Sequence, residues 1–285
     1  MPISIFIQTL NEEENLPSCL DSVRFSDDVV VLDSYSTDRT EAICSERGAR
    51  FFQRAYDGRG THQNWAMENI DFKHRWVFYL DADEHMTPEL QSEIEQIAQS
   101  WESGALSQDK DSPVAYYGGR KNYFRGKWLK RSMPPGHIMR FFQPPHIRFA
   151  RKANPIPTVD GEVGYLKEHF LHFNFSKGLT EWIARHNKYA TYEAEETMKS
   201  LKERPMQLGK LFSTDAMTRR YELKNLSFRM PCRPVLKFLY MYLVQLGFLD
   251  GRAGFTYCRL QALYEYLIVQ KVKEMQRIDR GLPGS

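Results

Sequence analysis

The sequence has few cysteines, and they are not arranged as metal ligands. The 285 residues include four, Cys19, Cys44, Cys232 and Cys258, and none of them forms a C-x-x-C pair. This spacing argues against a zinc knuckle and against a dense disulfide framework, so we expect free thiols in a reducing compartment. The first residues also lack the basic start and long apolar stretch of a secretory signal. We therefore expect no export.

The chain also lacks a block of one charge and the common phosphate-binding loops. Its formal net charge is +3, and no lysine or arginine run stands apart as a tail. A nucleic-acid partner is therefore not expected. No G-x-G-x-x-G follows a strand, and no Walker loop is present. This disfavours dinucleotide oxidoreductases and P-loop enzymes.

The first hundred residues alternate short β-branched or aromatic runs with helix-like stretches. Such alternation is typical of an α/β fold with a mostly parallel sheet flanked by helices. The predicted strands are 3–9, 29–33, 50–54 and 76–80. The predicted helices are 16–23, 38–47, 61–69 and 88–99. Thr87 before Pro88 predicts a capped helix start.

The C-terminal segment, residues 231–285, differs in kind from the preceding 1–230. It carries roughly fifteen apolar and aromatic residues before Asp250-Gly251, fewer than the roughly twenty that a membrane-spanning helix needs. A second aromatic-rich helix follows, which predicts an amphipathic helical hairpin. The hairpin lies either in a membrane interface or against the protein, including a second copy, and the pattern favours neither.

Two aspartates follow the fourth predicted strand directly. Asp81 and Asp83 are separated by one small residue. Ligands of such sheets bind beyond the carboxyl ends of the strands, and hard cations prefer carboxylate oxygens. The sequence therefore predicts a site for Mg²⁺ or Mn²⁺ that bridges to a diphosphate.

Polar residues also end the first two predicted strands. Asp33 ends the second, and the first ends in the polar run Thr9, Leu10, Asn11, Glu12. Each cluster alone is ordinary turn chemistry. Because the carboxyl ends of parallel strands meet at one edge, we expect three strand ends to converge on one crevice.

These motifs resemble the family-2 glycosyltransferases, most closely the subgroup that adds sugars to lipopolysaccharide core or other surface glycans. The matches are T-x-N-E-E at 9–13, D-S-x-S-T-D at 33–38 and L-D-A-D-E at 80–84. The resemblance implies a GT-A fold whose first two motifs hold the nucleotide, usually uridine. It also implies that Asp83 ligates the metal, that Asp81 contacts the sugar nucleotide beside it, and that Gln63 lies near the nucleotide.

An inverting transferase needs a base to accept the proton of the attacking hydroxyl. The resemblance assigns this role to Glu162, although the family's V-H-E motif is replaced here by Val159-Asp160-Gly161-Glu162, which keeps Asp160 as the alternative. His172 matches a family histidine and is a candidate ligand of the metal or of a phosphate. Arg140 is a candidate partner of the diphosphate.

The predicted function is inverting transfer of a hexose from a nucleotide sugar, a UDP-sugar by resemblance, to a glycan or lipid-linked acceptor of the cell surface. The expected location is the cytoplasm, with peripheral attachment to the inner face of the membrane and oligomer formation both open. Two alternatives remain. One is a nucleotidyltransferase of sugar phosphates, which the acidic 12–14 run disfavours, and the other is a catalytically silent sugar-binding scaffold.

Overall fold

The four apolar segments at the start of the chain form parallel strands, as the sequence predicts. They are β1 (Ile3–Thr9), β2 (Val29–Asp33), β3 (Arg50–Gln53) and β4 (Trp76–Asp81). Their order in the sheet is β3-β2-β1-β4. This computed structural model describes residues 2–105, 112–150, 155–203, 208–219, 222, 226, 230 and 232–283.

The connecting helices are α1 (Leu16–Ser22), α2 (Thr40–Glu46), α3 (Arg59–Asn69) and α4 (Pro88–Glu102). The predicted start of α4 is confirmed, because the Leu90 backbone N–H donates to the Thr87 hydroxyl oxygen at 3.2 Å. Pro88 occupies the first helical turn, where its missing N–H costs no hydrogen bond.

The strands that follow are β5 (Glu84–His85), β6 (Ala115–Phe124), β7 (Lys127–Trp128), β8 (His137–Phe142), β9 (Ile147–Ala150), β10 (Ile156–Val159) and β11 (Val163–His172). The sheet continues beyond β4 in the order β8-β6-β11-β5, whereas β9 and β10 form a separate two-stranded sheet. β8 is antiparallel to both β4 and β6, and β11 is parallel to β6. β4, β6 and β11 therefore point the same way, and their carboxyl ends share one edge with those of β1 and β2.

Both faces of this sheet are buried. One face packs Ile5 and Ile7 of β1 against residues of α1, α2 and α4, such as Leu90. The other packs Phe6 and its neighbours against α3 and the β9 region. Alternate residues of a strand face opposite sides of the sheet. Because both sides are buried, most residues of these strands are apolar. The predicted α/β architecture is confirmed.

The chain divides into two units. Unit 1 is Met1–Tyr123 with Pro135–Ser176, and unit 2 is Phe124–Pro134 with Lys177–Ser285. The division thus falls at 176/177 and not at the predicted 230/231, and residue 231 lies outside the described part of the chain. Unit 2 contains α5 (Gly178–Glu203), the 3₁₀ helix Leu208–Phe212, α6 (Arg233–Leu239) and α7 (Gly251–Asp279).

Packing of α5 along α7 explains the position of this boundary. Ala190 and Ala194 of α5 are fully buried and cluster with Ile268 and Val272 of α7. The predicted segment 231–285 therefore belongs with a long helix that sequence periodicity had assigned to the first domain. Small alanines let the two helices approach closely.

The predicted C-terminal hairpin is present within unit 2. A π turn (Tyr240–Val244) and a 3₁₀ turn (Gly247–Asp250) join α6 to α7. A Cβ on Gly254 would lie 2.3 Å from the carbonyl oxygen of Gly247, so only glycine permits this close packing. Over the described residues, the structure contains no helix with the length and apolarity that spanning a bilayer requires.

Asp250 fastens the hairpin to the segment Phe124–Pro134. Its carboxylate accepts hydrogen bonds from the backbone N–H groups of Lys130, Arg131 and Ser132 at 3.1, 3.0 and 2.8 Å, and from the Ser132 hydroxyl at 2.7 Å. Burial of the carboxylate acts to raise its pKa, but these hydrogen bonds outweigh burial and lower the pKa overall.

Replacing Asp250 with asparagine should lower the free energy of unfolding of unit 2 by about 2 kcal/mol, because charge-assisted hydrogen bonds in a buried site are lost. Since the lowered pKa stabilises the fold above the unfolded value of about 3.9, the difference from wild type should shrink as pH falls through the folded pKa. Denaturant titration followed by circular dichroism measures it. Asp279→Asn, which removes an exposed ion pair with Lys202, should cost less than about 0.5 kcal/mol. Equal losses in both variants would contradict the role of Asp250.

Candidate active site

The ends of β1 and β2 are joined by side-chain hydrogen bonds. The Thr9 hydroxyl donates to Asp33 at 2.8 Å, and the Ser36 backbone N–H donates to the same carboxylate at 2.7 Å. Asp33 is fully buried. The carboxylate therefore fixes the loop after β2 against the end of β1.

The loop after β1 is also fixed by hydrogen bonds to residues that follow β2. Asn11 has a positive φ of 54°, and its side-chain oxygen accepts the Thr37 backbone N–H at 2.8 Å. Asparagine tolerates this left-handed conformation better than most residues. The Glu12 N–H donates to the Thr40 hydroxyl at 2.9 Å, while Leu10 remains exposed. The first two motifs thus form one preorganised edge.

Gln63 lies buried on α3, and its side-chain oxygen has no hydrogen-bond partner within the described residues. The neighbouring Asn64 differs, because both ends of its amide bond the Phe149 backbone at 2.9 and 2.8 Å. Asn64 is therefore occupied in holding β9. Of the two, Gln63 is the residue with unused hydrogen-bonding capacity, and its place near the nucleotide stays a prediction.

Asp81 is surrounded by donors that the motif did not reveal. Arg59 donates to both of its oxygens at 3.0 and 2.7 Å, Arg140 donates at 3.0 Å, and the Tyr79 hydroxyl donates at 2.5 Å. Burial acts to raise the pKa of Asp81, but the two guanidinium charges lower it well below its usual range. Asp81 is ionised at neutral pH. The structure pairs it with Arg59 and Arg140, and its expected part in a metal site beside Asp83 stays a prediction.

Arg140 is fully buried and therefore cannot contact a diphosphate as the sequence suggested. Its guanidinium also donates to Glu84 at 2.8 Å, and Glu84 in turn accepts the Asp81 backbone N–H at 2.9 Å. Burial raises the pKa of Glu84 despite the nearby Arg140 charge. The last residue of the L-D-A-D-E motif is thus a structural carboxylate that fixes the turn after β4.

Asp83 and His172 lie together at the carboxyl edge, although they are far apart in sequence. The His172 Nε2 is 3.5 Å from an Asp83 oxygen, and its Nδ1 is 2.8 Å from the side-chain oxygen of Asn122. With the amide in this orientation, Nδ1 donates to Asn122 and the ring presents Nε2 toward Asp83. Metal-ligating histidines are commonly held in this way, with an oxygen acceptor on the other ring nitrogen.

The donor set fits a divalent cation. Within the described residues, no group of three or more histidine, cysteine, aspartate or glutamate side chains is arranged to hold a metal. The carboxylate suits both Mg²⁺ and Mn²⁺, whereas the imidazole nitrogen suits Mn²⁺ better than Mg²⁺, which prefers oxygen ligands. Mg²⁺ commonly takes few protein ligands and completes its coordination with substrate phosphates and water.

Glu162 and Asp160 lie elsewhere. Both are exposed and precede β11, whose first residue Val163 pairs through β6 and β8 with Val77 near the start of β4. At about 3.3 Å per residue, this puts them roughly 15 Å along the strand direction from Asp81, at the opposite edge of the sheet. The prediction that either acts as base is therefore corrected. The D-G turn instead supports the sheet, since Glu162 accepts the Val114 N–H through its backbone carbonyl at 2.9 Å.

A family model described as glycosyl transferase family 2 matches residues 4–155, more than half of the chain, and this range includes all three motifs. The chain belongs to glycosyl transferase family 2. As a family 2 glycosyltransferase, it has the mixed α/β fold of the GT-A type expected from its motifs, with a C-terminal helical segment. Membership favours glycosyl transfer over the nucleotidyltransferase alternative.

Individual relatives are distant but cover nearly the whole chain. An uncharacterized glycosyltransferase of Rickettsia typhi is 25% identical over 295 residues, with 99% of this chain and 90% of the relative covered. The lipopolysaccharide core biosynthesis glycosyltransferase LpsC of Rhizobium meliloti is 25% identical over 281 residues, with 95% and 92% covered.

Two solved structures were also found to be similar to parts or most of the chain. TarS 1-349 of S. aureus in complex with UDP is 13% identical, covers 99% of this chain and 92% of its own, and has a TM-score of 0.43. Glucosyl-3-phosphoglycerate synthase from Mycobacterium tuberculosis, with Mn²⁺, UDP and phosphoglyceric acid, is 25% identical over 44% and 43% of the two chains, with a TM-score of 0.29. The family assignment rests on the sequence match.

Replacing Arg140 with methionine should lower the free energy of unfolding by about 3–5 kcal/mol, because Glu84 is left buried without its partner. The pKa of Glu84 should then rise further. A folded pKa above the unfolded value of about 4.3 stabilises the fold only at low pH, so the deficit should be larger at pH 7 than at pH 4. Denaturant titration of both proteins at pH 4 and at pH 7 measures this difference in the free energy of unfolding.

Arg24→Met is the matched control. Arg24 is exposed and pairs with Asp21 on the surface, so its replacement should change stability by less than about 1 kcal/mol. An Arg140→Met deficit that is the same at both pH values would show that Glu84 does not carry the effect.

Proposed function

We propose that this family 2 glycosyltransferase inverts configuration as it moves a hexose from a UDP-sugar to a glycan or lipid-linked acceptor in cell-surface polysaccharide synthesis. The observation that supports this most is the pairing of Asp83 with a His172 oriented by Asn122, on the same sheet edge as Asp33. A diphosphate site beside a nucleotide site is what a nucleotide-sugar donor requires.

The spacing of the strand ends supports one nucleotide across this edge. Thr9 pairs with Asp33, and Gln8 pairs with Asp81, so the two aspartates are separated by two strand spacings, about 10 Å. We propose that Asp33 and Gln63 bind the uridine. The loop residues Thr9, Leu10, Asn11 and Glu12 would border it.

The proposed acceptor class follows the family resemblance and the relative named for lipopolysaccharide core biosynthesis. We further propose that the enzyme works in the cytoplasm, where its four thiols stay reduced, and at the inner face of the membrane.

In the proposed mechanism, Asp83 and His172 would hold Mg²⁺ or Mn²⁺, which neutralises charge on a departing diphosphate when bound. The chain itself supplies preorganisation. Asn122 fixes the histidine ring, and the Arg140–Glu84 pair fixes the turn that carries Asp81 and Asp83. Asp81 stays ionised and holds Arg59, whose side chain is 40% exposed, at the rim of the site. A partly exposed guanidinium suits contact with the donor.

Asp83→Asn should abolish sugar transfer and the Mn²⁺-dependent part of donor binding while the fold persists. The measurement is a thermal-shift screen of nucleotide sugars with and without Mn²⁺, followed by a transfer assay. A donor present at 100 times its Kd stabilises the wild type by about 2.7 kcal/mol, and this gain should disappear in the variant.

Asp27→Asn is the control, because Asp27 is an exposed aspartate that pairs with His74 before β2, at the opposite sheet edge. It should keep both stabilisation and transfer. Full activity of Asp83→Asn, or of the wild type in saturating chelator, would contradict the proposed metal site. Donor binding without transfer or hydrolysis in the wild type would instead favour the silent scaffold.

The corrected position of Glu162 gives a separate expectation. Glu162→Gln should retain transfer within about threefold of wild type, since removal of a true general base typically costs 10²–10⁴-fold. Asp160→Asn should behave in the same way. A large loss of kcat in either variant, with donor binding intact, would show that the substituted residue acts as the base. It would contradict the inference that this turn lies too far from the site.

A further inference from the structure

The hairpin of unit 2 exposes a row of large apolar side chains. Val244 is 69% exposed and Leu249 is 56% exposed, and both lie in the helical turns between α6 and α7. Other members of the row are Leu239, Leu243, Leu246 and Phe248. Contiguous exposed apolar surface of this kind usually marks an interaction site.

Basic residues lie near this row. Residues 124–134 and 232–262, all of them described, contain Asp250 as their only acid, and it is buried in its hydrogen bonds to the backbone. The exposed basic side chains of these two segments are Arg125, Lys127, Lys130, Arg131, Arg252 and Arg259. This set and the apolar row are called the basic–apolar surface below.

The Asp250 hydrogen bonds bring the two segments together. They fix the backbone of Lys130 and Arg131 directly beside the turn that carries Phe248 and Leu249. The Lys127 ammonium lies 3.4 Å from the position that a Cβ on Gly251 would occupy. The cations therefore border the exposed apolar turn.

Arg259 borders a further apolar feature. An open cleft of about 450 Å³ lies between α6 and α7, with Phe238 and Phe255 on its walls and Arg259 at its margin. The Arg259 guanidinium lies 5.7 Å from the centre of the Phe255 ring. A cation at the mouth of an apolar cleft matches a molecule that has an anionic group joined to a hydrocarbon chain.

We propose that the basic–apolar surface docks unit 2 onto a bilayer that contains anionic phospholipids. The apolar row enters the boundary between headgroups and acyl chains, and the surrounding lysines and arginines bind lipid phosphates. Long basic side chains suit this position because their stems pack on apolar surface while their charges stay at the headgroups. The helices lie on the membrane and do not cross it.

Charge decides between this occupant and a second copy of the chain. A two-fold dimer formed through this surface would place each basic set against its own copy, because such an interface uses the same patch on both subunits. Juxtaposed like charges oppose association. Anionic headgroups provide the opposite charge, and acyl chains cover the aliphatic row, which a nucleic acid would leave exposed to water.

The test is flotation of the full-length protein with vesicles, without donor or metal, so that it is independent of catalysis. Wild type should float with vesicles in which about a third of the lipid is phosphatidylglycerol and not with pure phosphatidylcholine. Binding should weaken as salt is raised, because screening reduces the attraction.

Two variants address the two halves of the surface. Arg252→Gln with Arg259→Gln should weaken binding to anionic vesicles by about 20-fold or more. Its control, Lys273→Gln with Arg280→Gln, makes the same charge change at exposed positions farther along the C-terminal part of the chain and should bind much more like wild type. Val244→Asp with Leu249→Asp should abolish binding, whereas Ile278→Asp, at a residue 57% exposed, should not.

Circular dichroism verifies that each variant folds. If Val244→Asp with Leu249→Asp does not fold, Arg252→Gln with Arg259→Gln still tests the proposal. The proposal is overturned if wild type fails to bind anionic vesicles, if it binds both vesicle types equally, or if the surface variants bind like their controls. A dimer in solution that the surface variants dissociate would also overturn it and assign the surface to a second copy.

Discussion

The candidate site depends on one buried ion cluster. Arg140 has no exposed surface, yet it carries a charge, and it is stable there only because Asp81 and Glu84 accept its hydrogen bonds at 3.0 and 2.8 Å. A buried charge without such partners would cost several kcal/mol. The cluster therefore has few alternative arrangements. The turn after β4 is fixed by the same bonds that satisfy the arginine.

This constraint has a consequence for the metal site. Asp83 follows the fixed turn, and its backbone carbonyl accepts the Phe173 N–H at 2.9 Å, which ties it to the end of β11. His172 directly precedes Phe173. The Phe173–Asp83 backbone hydrogen bond and the His172–Asn122 side-chain hydrogen bond therefore hold the candidate ligands Asp83 and His172 at the same edge. Rigid support of this type reduces the reorganisation needed when a charged donor binds. β5 and β11 also pair directly at this edge.

Unit 2 shows a different use of charge. Asp250 is the acid that orders the hairpin, and its burial leaves the surrounding exposed residues uniformly basic or apolar. The same carboxylate therefore builds the local structure and leaves the surface with a single sign of charge. A surface of that composition is poorly suited to self-association and well suited to anionic lipid.

The sequence by itself determined the local elements and the positions of the strand ends. Apolar runs bounded by polar turns gave β1 and β2 with their observed limits, and the Thr87-Pro88 signal gave the start of α4. It also placed Asp33 and Asp83 at one edge of the sheet, because the carboxyl ends of parallel strands meet there. The motifs were sufficient to indicate the family that the sequence match established.

Only the tertiary structure decided which distant side chains meet. Arg59 begins a helix without any local signal, and its link to Asp81 arises because α3 packs beside β4. Glu162 was assigned to the site by resemblance to a family motif, but the direction of β11 carries it to the opposite edge. The division at 176/177 likewise follows from packing of α5 on α7. The physical reason is common to all three: strand direction and helix packing depend on residues far apart in the chain, whereas turn and cap signals depend on neighbours.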